Sequence, residues 1–311
     1  MLDSRVTSDT LDIEKLLKIF LDYKKFIIIG TFCTSLFCII YSLLLTPIYK
    51  SSALLEPNPN VQSSSGMPSL AGPAAVIGLD ISSATGNGAD IFTVATEVVL
   101  SKDFLERIIQ EDALFLPELM AVKSYDKSKN NIVFDESIYN SDKKEWVLGD
   151  AELHFSFHEI YEKFIIDHIE VQRDQLSKLT TISIYHSSPY VAKRWLDMIL
   201  LKINTIMRDK KLSETRKSVD FLNQQLNETN IKELRTAISN SIKKELNSFM
   251  YAQISSDYIF KVIDSPRVST VQAKPNKKSI VIIGTIIGFI FLTIITLVYE
   301  YVLAYRKKYL Q

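Results

Sequence analysis

Two uncharged apolar stretches, each long enough to cross a bilayer, stand near the two ends of this chain. Residues 26–45 read FIIIGTFCTSLFCIIYSLLL and residues 280–299 read IVIIGTIIGFIFLTIITLVY. A helix of about 20 residues at about 1.5 Å rise spans roughly 30 Å, the thickness of a hydrocarbon core. The 234 residues between them, 46–279, are too many and too polar for a loop. The pattern predicts an extramembrane domain held to one membrane at both ends. The first stretch starts late and is followed by Thr46-Pro47-Ile48-Tyr49 without an A-x-A-like cleavage site, so it reads as a retained anchor.

Residues 1–25 form an N-terminal tail carrying Arg5, Lys15, Lys18, Lys24 and Lys25. Residues 300–311 form a C-terminal tail carrying Arg306, Lys307 and Lys308. By the positive-inside rule both tails are expected in the cytoplasm, with residues 46–279 in the periplasm of a cell with two membranes. Lys274, Lys277 and Lys278 crowd the far flank of the second span. Long domains translocate largely regardless of charge, so the Lys24-Lys25 pair is expected to set the orientation. Leu11, Ile13, Leu16, Leu17 and Phe20 alternate with charges as in a helix lying at the membrane surface. The formal net charge of zero gives no basic surface for nucleic acid. Both cysteines, Cys33 and Cys38, lie in the first span, so the central domain has no disulfide of its own.

Inside that domain, residues 49–56 (YKSSALLE) have strand character between Pro47 and Pro57. Residues 63–90 hold five of the nine glycines with Pro68 and Pro73, a composition that predicts a flexible loop. No Gly-Lys-Ser/Thr follows those glycines, which excludes a phosphate-cradling P-loop. Residues 91–111 return to helical spacing, with Val94, Val98, Phe104, Leu105 and Ile108 expected inward and Ser101 as an N-cap. Residues 121–150 read as polar, with turns at Asn130-Asn131 and Gly149-Asp150. Residues 154–168 read as a helix with Phe155, Ile160, Phe164 and Ile165 inward, and residues 178–185 (KLTTISIY) as a strand.

From Tyr190 to Glu228 there is neither Gly nor Pro, and a helix this long would reach about 60 Å. Trp195, Ile199, Ile206, Val219, Leu222 and Leu226 recur along it and are expected to form an oligomer face. Its middle, RDKKLSETRKS (208–218), is polar on most faces, as in helices that are solvated or packed against other copies. A break at 228–230 and a second helix from 231 to 254 predict a long helical hairpin over 190–254, coiled-coil-like in its pairing. Residues 258–264 (YIFKVID) read as a closing strand, and Pro266 and Pro275 keep the segment before the second span extended. The expected fold class is α+β: two transmembrane helices flanking a periplasmic domain, with a membrane-proximal mixed sheet and a long helical protrusion.

Candidate chemistry is sparse. His154 and His158 are four apart, but the zinc-protease pattern H-E-x-x-H fails because Glu162 stands where its second histidine belongs. These histidines are read as structural or surface groups. There is no G-x-S-x-G elbow and no clustered carboxylate pair, so neither catalysis nor a metal or cofactor is expected. Gly284 and Gly288 form a G-x-x-x-G in the second span, where small residues let helix backbones approach, and are expected in transmembrane packing between subunits.

Five segments together resemble the Wzz family of polysaccharide co-polymerases, which regulate chain length of bacterial surface glycans. Residues 12–30 (DIEKLLKIFLDYKKFIIIG) and 46–57 (TPIYKSSALLEP) are similar to the family's N-terminal signature. Residues 101–109 (SKDFLERII) resemble its S-x-D-F-L helix, and residues 179–195 (LTTISIYHSSPYVAKRW) its strand, proline and Ala-x-x-Trp helix start. Residues 258–269 (YIFKVIDSPRVS), with Lys274-Pro275, resemble the proline-containing closing segment; only Pro266 and Pro275 stand where the family has several spaced prolines. The resemblance implies a homo-oligomeric inner-membrane scaffold without catalysis. It would act with a membrane polysaccharide polymerase and its lipid-linked glycan chain to set the modal length of lipopolysaccharide O-antigen or a related polymer. Two alternatives share the layout. One is a capsule or exopolysaccharide export adaptor. The other is a two-span periplasmic sensor, which would be expected to carry an output domain larger than the tail at 300–311.

Overall fold

A computed structural model describes residues 20–58, 61, 91–147, 149 and 155–309. The expected loop at 63–90, the surface helix at 11–17 and His154 lie outside these residues. The chain divides into two compact units, residues 1–47 with 273–311 and residues 48–272.

The first unit is a pair of helices, α1 (Lys24–Leu44) and α8 (Lys277–Tyr309), packed along each other. Both are long and apolar enough to cross a membrane, yet only 11% and 6% of their apolar windows are buried within the chain. Ile28, Phe32, Phe37, Ile283, Ile287 and Phe291 all point outward. Outward apolar side chains on all but one face suit lipid as solvent, because water would leave such a helix unpaid for its exposed surface.

The second unit is α+β, as expected, and its sheet is antiparallel. The strands run β6 (Ile169–Arg173), β7 (Thr180–His186), β1 (Ile48–Pro57), β8 (Phe260–Asp264) across it. In β1, Tyr49, Ser51, Ala53 and Leu55 point inward while Ser52 and Glu56 face out, the period-two pattern of a half-buried strand. Register pairs Tyr49 with His186 and Ala53 with Ile182. A shift between Leu54 and Leu55 opens a bulge against β8. β6 follows directly on the expected helix over 154–168, whose described part is helical. That helix, α5 (Phe157–Lys163), begins on a capping box in which Ser156 and Glu159 each bond the other's backbone N–H, and it ends in a π-helical turn, Phe164–His168.

Over the sheet lies α6 (Pro189–Glu228), a 40-residue helix entered through Pro189, whose missing N–H costs nothing at a first turn. Trp195, Leu196, Ile199 and Ile203 form the core with Leu55, Ile182 and Ile184 from the sheet. Three short helices close it: α2 (Ile91–Val99), α3 (Lys102–Glu111) and α4 (Phe115–Met120). Ser101 caps α3 as expected, accepting from the Phe104 N–H at 3.3 Å, and Phe104, Leu105 and Ile108 are buried. In α2 the buried face is Phe92, Ala95, Thr96 and Val99, rotated from the expected Val94 and Val98. A nine-residue helix with apolar residues on most sides does not announce which face packs.

The stretch 121–150 is less plain than its polarity suggests. Two hairpins occupy it, β2 (Val122–Asp126) with β3 (Asn131–Phe134) and β4 (Tyr139–Asn140) with β5 (Glu145–Trp146). Asn130 (φ 51°) and Lys144 (φ 56°) take the left-handed conformation that tight turns require. A ladder of rings, Phe134–Tyr139–Trp146–Phe155 at 5.3, 5.3 and 6.3 Å between centroids, stabilises them.

The expected hairpin of long helices is present. α7 (Lys232–Ile254) returns along α6 after a break at Thr229, where Arg235 Nη1 donates to the carbonyls of Leu226 (2.6 Å) and Thr229 (3.0 Å). That guanidinium satisfies carbonyls which the end of α6 leaves open.

Candidate functional surfaces

The glycines of the second span lie against the first span of the same chain. A Cβ on Gly284 would stand 2.4 Å from Cys38 Sγ, and one on Gly288 would stand 2.5 Å from Thr34 Oγ1. Gly30 makes the reciprocal approach, where a Cβ would meet Leu292 Cδ1 at 2.7 Å. Here small residues let the two backbones close up, since lipid supplies no hydrophobic drive for pairing. Within one chain, the face of Gly284 and Gly288 that was expected in packing between subunits lies against the chain's own first span. At one end of the pair the Tyr23 hydroxyl donates to Glu300 Oε2 (3.0 Å) and its ring meets Tyr299 edge-on at 6.2 Å.

Much of the face expected between copies on the long helix is covered within the chain. Trp195 and Ile199 are fully buried in the core, Ile206 packs against it, and Leu222 is buried. Val219 and Leu226 are half-buried beside them. Apolar spacing marks the face a helix buries, and within one chain it is already used on the sheet and on α7. The apolar residues α7 leaves outside are others: Leu246, Met250 and Ile254, at i, i+4 and i+8, are all exposed. Phe221 and Leu201 are the corresponding exposed positions on α6.

Sequence reasoning missed the polar cluster beneath the start of α6. Glu118 on α4 is 5% exposed and accepts from Trp195 Nε1 (2.9 Å) and from Arg194 Nη2. Arg194 also reaches Asp112 at 3.4 Å. Burial pushes the Glu118 carboxyl above the usual range, and the Arg194 charge and the Trp195 hydrogen bond draw it back. The backbone carbonyl of the same residue accepts from His186 Nε2 (3.1 Å), while His186 Nδ1 accepts from the Ser188 N–H (2.9 Å). A carbonyl only accepts and an N–H only donates, so His186 is neutral with its proton on Nε2. His168 carries its proton on Nδ1, which donates to the Tyr185 carbonyl at 2.7 Å. Burial pushes His186 down to about 3 and His168 to about 4. Both rings lie by Trp195, at 5.0 and 5.5 Å between centroids.

These bonds tie the start of α6 to α4 and to the strands. Two further side chains do the same elsewhere. Asn204 Oδ1 accepts from the N–H groups of Ile259 (2.9 Å) and Phe260 (3.1 Å), pinning α6 to β8. Asn58 donates to the Asp257 carbonyl (2.8 Å) and accepts from the Tyr251 hydroxyl (2.9 Å). Of the expected proline segment, Pro266 is buried and next to Arg267, whose carbonyl accepts from Ser51 Oγ (3.0 Å); Lys274-Pro275 is a cis peptide. His158 lies on the surface, 3.4 Å from Glu162. Among the described residues no group of three or more His, Cys, Asp or Glu is placed to hold a metal ion.

The stretch from the N-terminal tail through α1 and β1 to the end of α3 is similar to a known family. Residues 9–111 match the Wzz model, described as chain length determinant protein. Its described part holds the first span, β1, α2 and the Ser101-capped α3; of the five segments that carry the Wzz resemblance, 12–30, 46–57 and 101–109 fall inside the match and 179–195 and 258–269 outside it. No curated protein matches the chain significantly. Among solved structures, a full-length bacterial polysaccharide co-polymerase is 13% identical over 96% of this chain and 99% of its own, at a TM-score of 0.37. A fragment of WzzB, polysaccharide co-polymerase from Salmonella Typhimurium, is 8% identical over 73% of this chain and 100% of its own, also at 0.37. Likeness at that level carries no argument, and the Wzz match stands on its own residues.

Proposed function

We propose that the chain is an inner-membrane polysaccharide co-polymerase that regulates the modal length of lipopolysaccharide O-antigen or a related surface glycan. The observation that carries this reading is the Wzz match over residues 9–111 on a chain with two span-length apolar helices around an α+β unit. Both tails face the cytoplasm and residues 46–279 the periplasm, on the charge argument from Lys24 and Lys25. The role is that of a homo-oligomeric scaffold acting on the membrane polymerase and its lipid-linked chain, with no catalytic step. Two features of the structure support a scaffold: the buried polar groups are spent on holding α6 in place, and α7 leaves Leu246, Met250 and Ile254 exposed in a row where another copy can cover them.

The test is a surface-polysaccharide gel ladder from cells with and without the gene. A length regulator leaves polymer on the surface and removes its preferred band. Polymer accumulating inside the cell points instead to an export adaptor of the same topology, and an unchanged ladder removes both.

A further inference from the structure

Beside the glycine contact, the two span helices leave an open groove of about 440 Å³. Lys24, Ile28, Thr31 and Ser35 of α1 and Thr285 and Phe289 of α8 line it. We propose that this groove holds one acyl chain of an anionic phospholipid, with Lys24 on its phosphate. The proposal rests on reading both helices as membrane spans.

Three observations fix the occupant. The groove opens from apolar helices whose other faces are exposed Ile, Leu and Phe, so in a membrane its contents are lipid chains. Its lining on α1 runs from Lys24 to Ser35, about 17 Å at about 1.5 Å per residue, close to the half-thickness of a hydrocarbon core of about 30 Å. A single leaflet's chain therefore lies along it from headgroup to tail end. Among the described residues only one charged residue lines it, and that residue is a cation at the end of a span, where a long side chain reaches the headgroup layer. Both threonine hydroxyls in its lining are turned onto their own helices: Thr31 Oγ1 donates to the Ile27 carbonyl (2.7 Å) and Thr285 Oγ1 to the Val281 carbonyl (2.7 Å). With those donors turned onto their own helices, the floor presents methyl and methylene groups to a chain. Phe20, edge-on to Phe289 at 6.2 Å between centroids, lines the same groove.

The test uses the full chain in nanodiscs of equimolar phosphatidylglycerol and phosphatidylcholine, with retained lipids counted by native mass spectrometry after release. Phosphatidylglycerol should be retained over phosphatidylcholine by about fivefold, the effect of one lysine at an anionic surface. Lys24→Gln should bring the ratio to about one, and Ser35→Phe should fill the groove and lower the number of retained lipids with Lys24 still present. Lys25→Gln, beside the groove and not in its lining, should leave the ratio alone. Equal retention of the two lipids by the unaltered chain, or the same effect from Lys25→Gln as from Lys24→Gln, overturns the site. A chain that does not enter nanodiscs at all overturns the span reading, and the groove with it.

Discussion

Replacing Glu118 by alanine removes the one carboxylate that the start of α6 is built around. Two losses must be weighed. Trp195 Nε1, on a fully buried ring, would lose its acceptor at 2.9 Å, and an orphaned buried donor costs about 1–3 kcal/mol. Arg194 would lose its ion pair, but its side chain is 43% exposed and keeps Asp112 at 3.4 Å, so that loss is discounted to the about 0–1 kcal/mol of a surface pair. The tryptophan decides the outcome, and Glu118→Ala should cost about 2–3 kcal/mol. For a unit of this size that lowers the melting midpoint by about 4–12 °C. Glu118→Gln keeps an oxygen for Trp195 and removes the burial cost of a charge, so it should cost less than about 1 kcal/mol. The assay is thermal unfolding of the full chain in detergent, followed by tryptophan fluorescence. If glutamine proves as damaging as alanine, the ion pair and not the indole hydrogen bond holds this corner, and the reasoning fails.

Acid should weaken the same corner. His186 and His168 have folded values near 3 and 4, below the ordinary 6.5, so the unfolded chain binds more protons and stability falls as pH drops below 6.5, by about 1.4 kcal/mol per unit for each ring. Glu118, raised in the fold, works the other way over its own range, so the net slope is less than the sum of the two histidines. Urea midpoints between pH 7 and pH 5 should decline, and His186→Gln should flatten the decline by about half. In the membrane pair, Gly284→Cys with Cys33→Ser should form a disulfide with Cys38, because the Cβ–Cβ separation there is 3.4 Å, at the near edge of the usual range of about 3.5–4.5 Å. The oxidised product should run as a monomer on a non-reducing gel, and a dimer would restore the packing between subunits. Val219→Pro should break α6 at a cost of about 3 kcal/mol or more, seen as lost helical ellipticity and an altered glycan ladder. If it also lowers the midpoint reported by Trp195, the two halves of α6 unfold as one.

Elements with one strong local signal were legible in the sequence: two apolar runs, a Gly- and Pro-free stretch beginning at Tyr190, an alternating β-branched strand, a serine N-cap. Pairing was not. The partners of Gly284 and of Leu222 depend on which surface arrives first, and apolar spacing is the same whether the partner is the chain's own helix or another copy. The polar cluster left no signal either, since Glu118, His168, His186 and Trp195 are separated by up to 77 residues and meet only through the sheet. The capping box at Ser156 and Glu159 is a readable S-x-x-E in a polar surrounding. Strand β6 (IEVQR) alternates but is too short to stand out beside the apolar residues of the π turn.

The energetics of α6 change along its length, and that division bears on what the long hairpin can do. From Pro189 to Met207 the helix buries ten side chains, Trp195, Ile199 and Ile203 among them, and Asn204 ties it to β8. Beyond Met207 only Thr215 and Leu222 of α6 are buried, and the Thr215 hydroxyl has no hydrogen-bond partner among the described residues. Facing them, α7 offers Ile238, Ser241 and Glu245, the last 3.6 Å from Lys211 with both side chains mostly buried. Such a pair gains little over an apolar one, because desolvation offsets the attraction. The outer hairpin is therefore a poor core by itself, while Phe221, Leu246 and Met250 stay exposed along it. A long rod that buries so little of its own apolar surface is stabilised by whatever else covers it. Covering by further copies would raise its stability with protein concentration by mass action. A midpoint of hairpin melting that does not move with concentration in detergent would show that the hairpin stands alone.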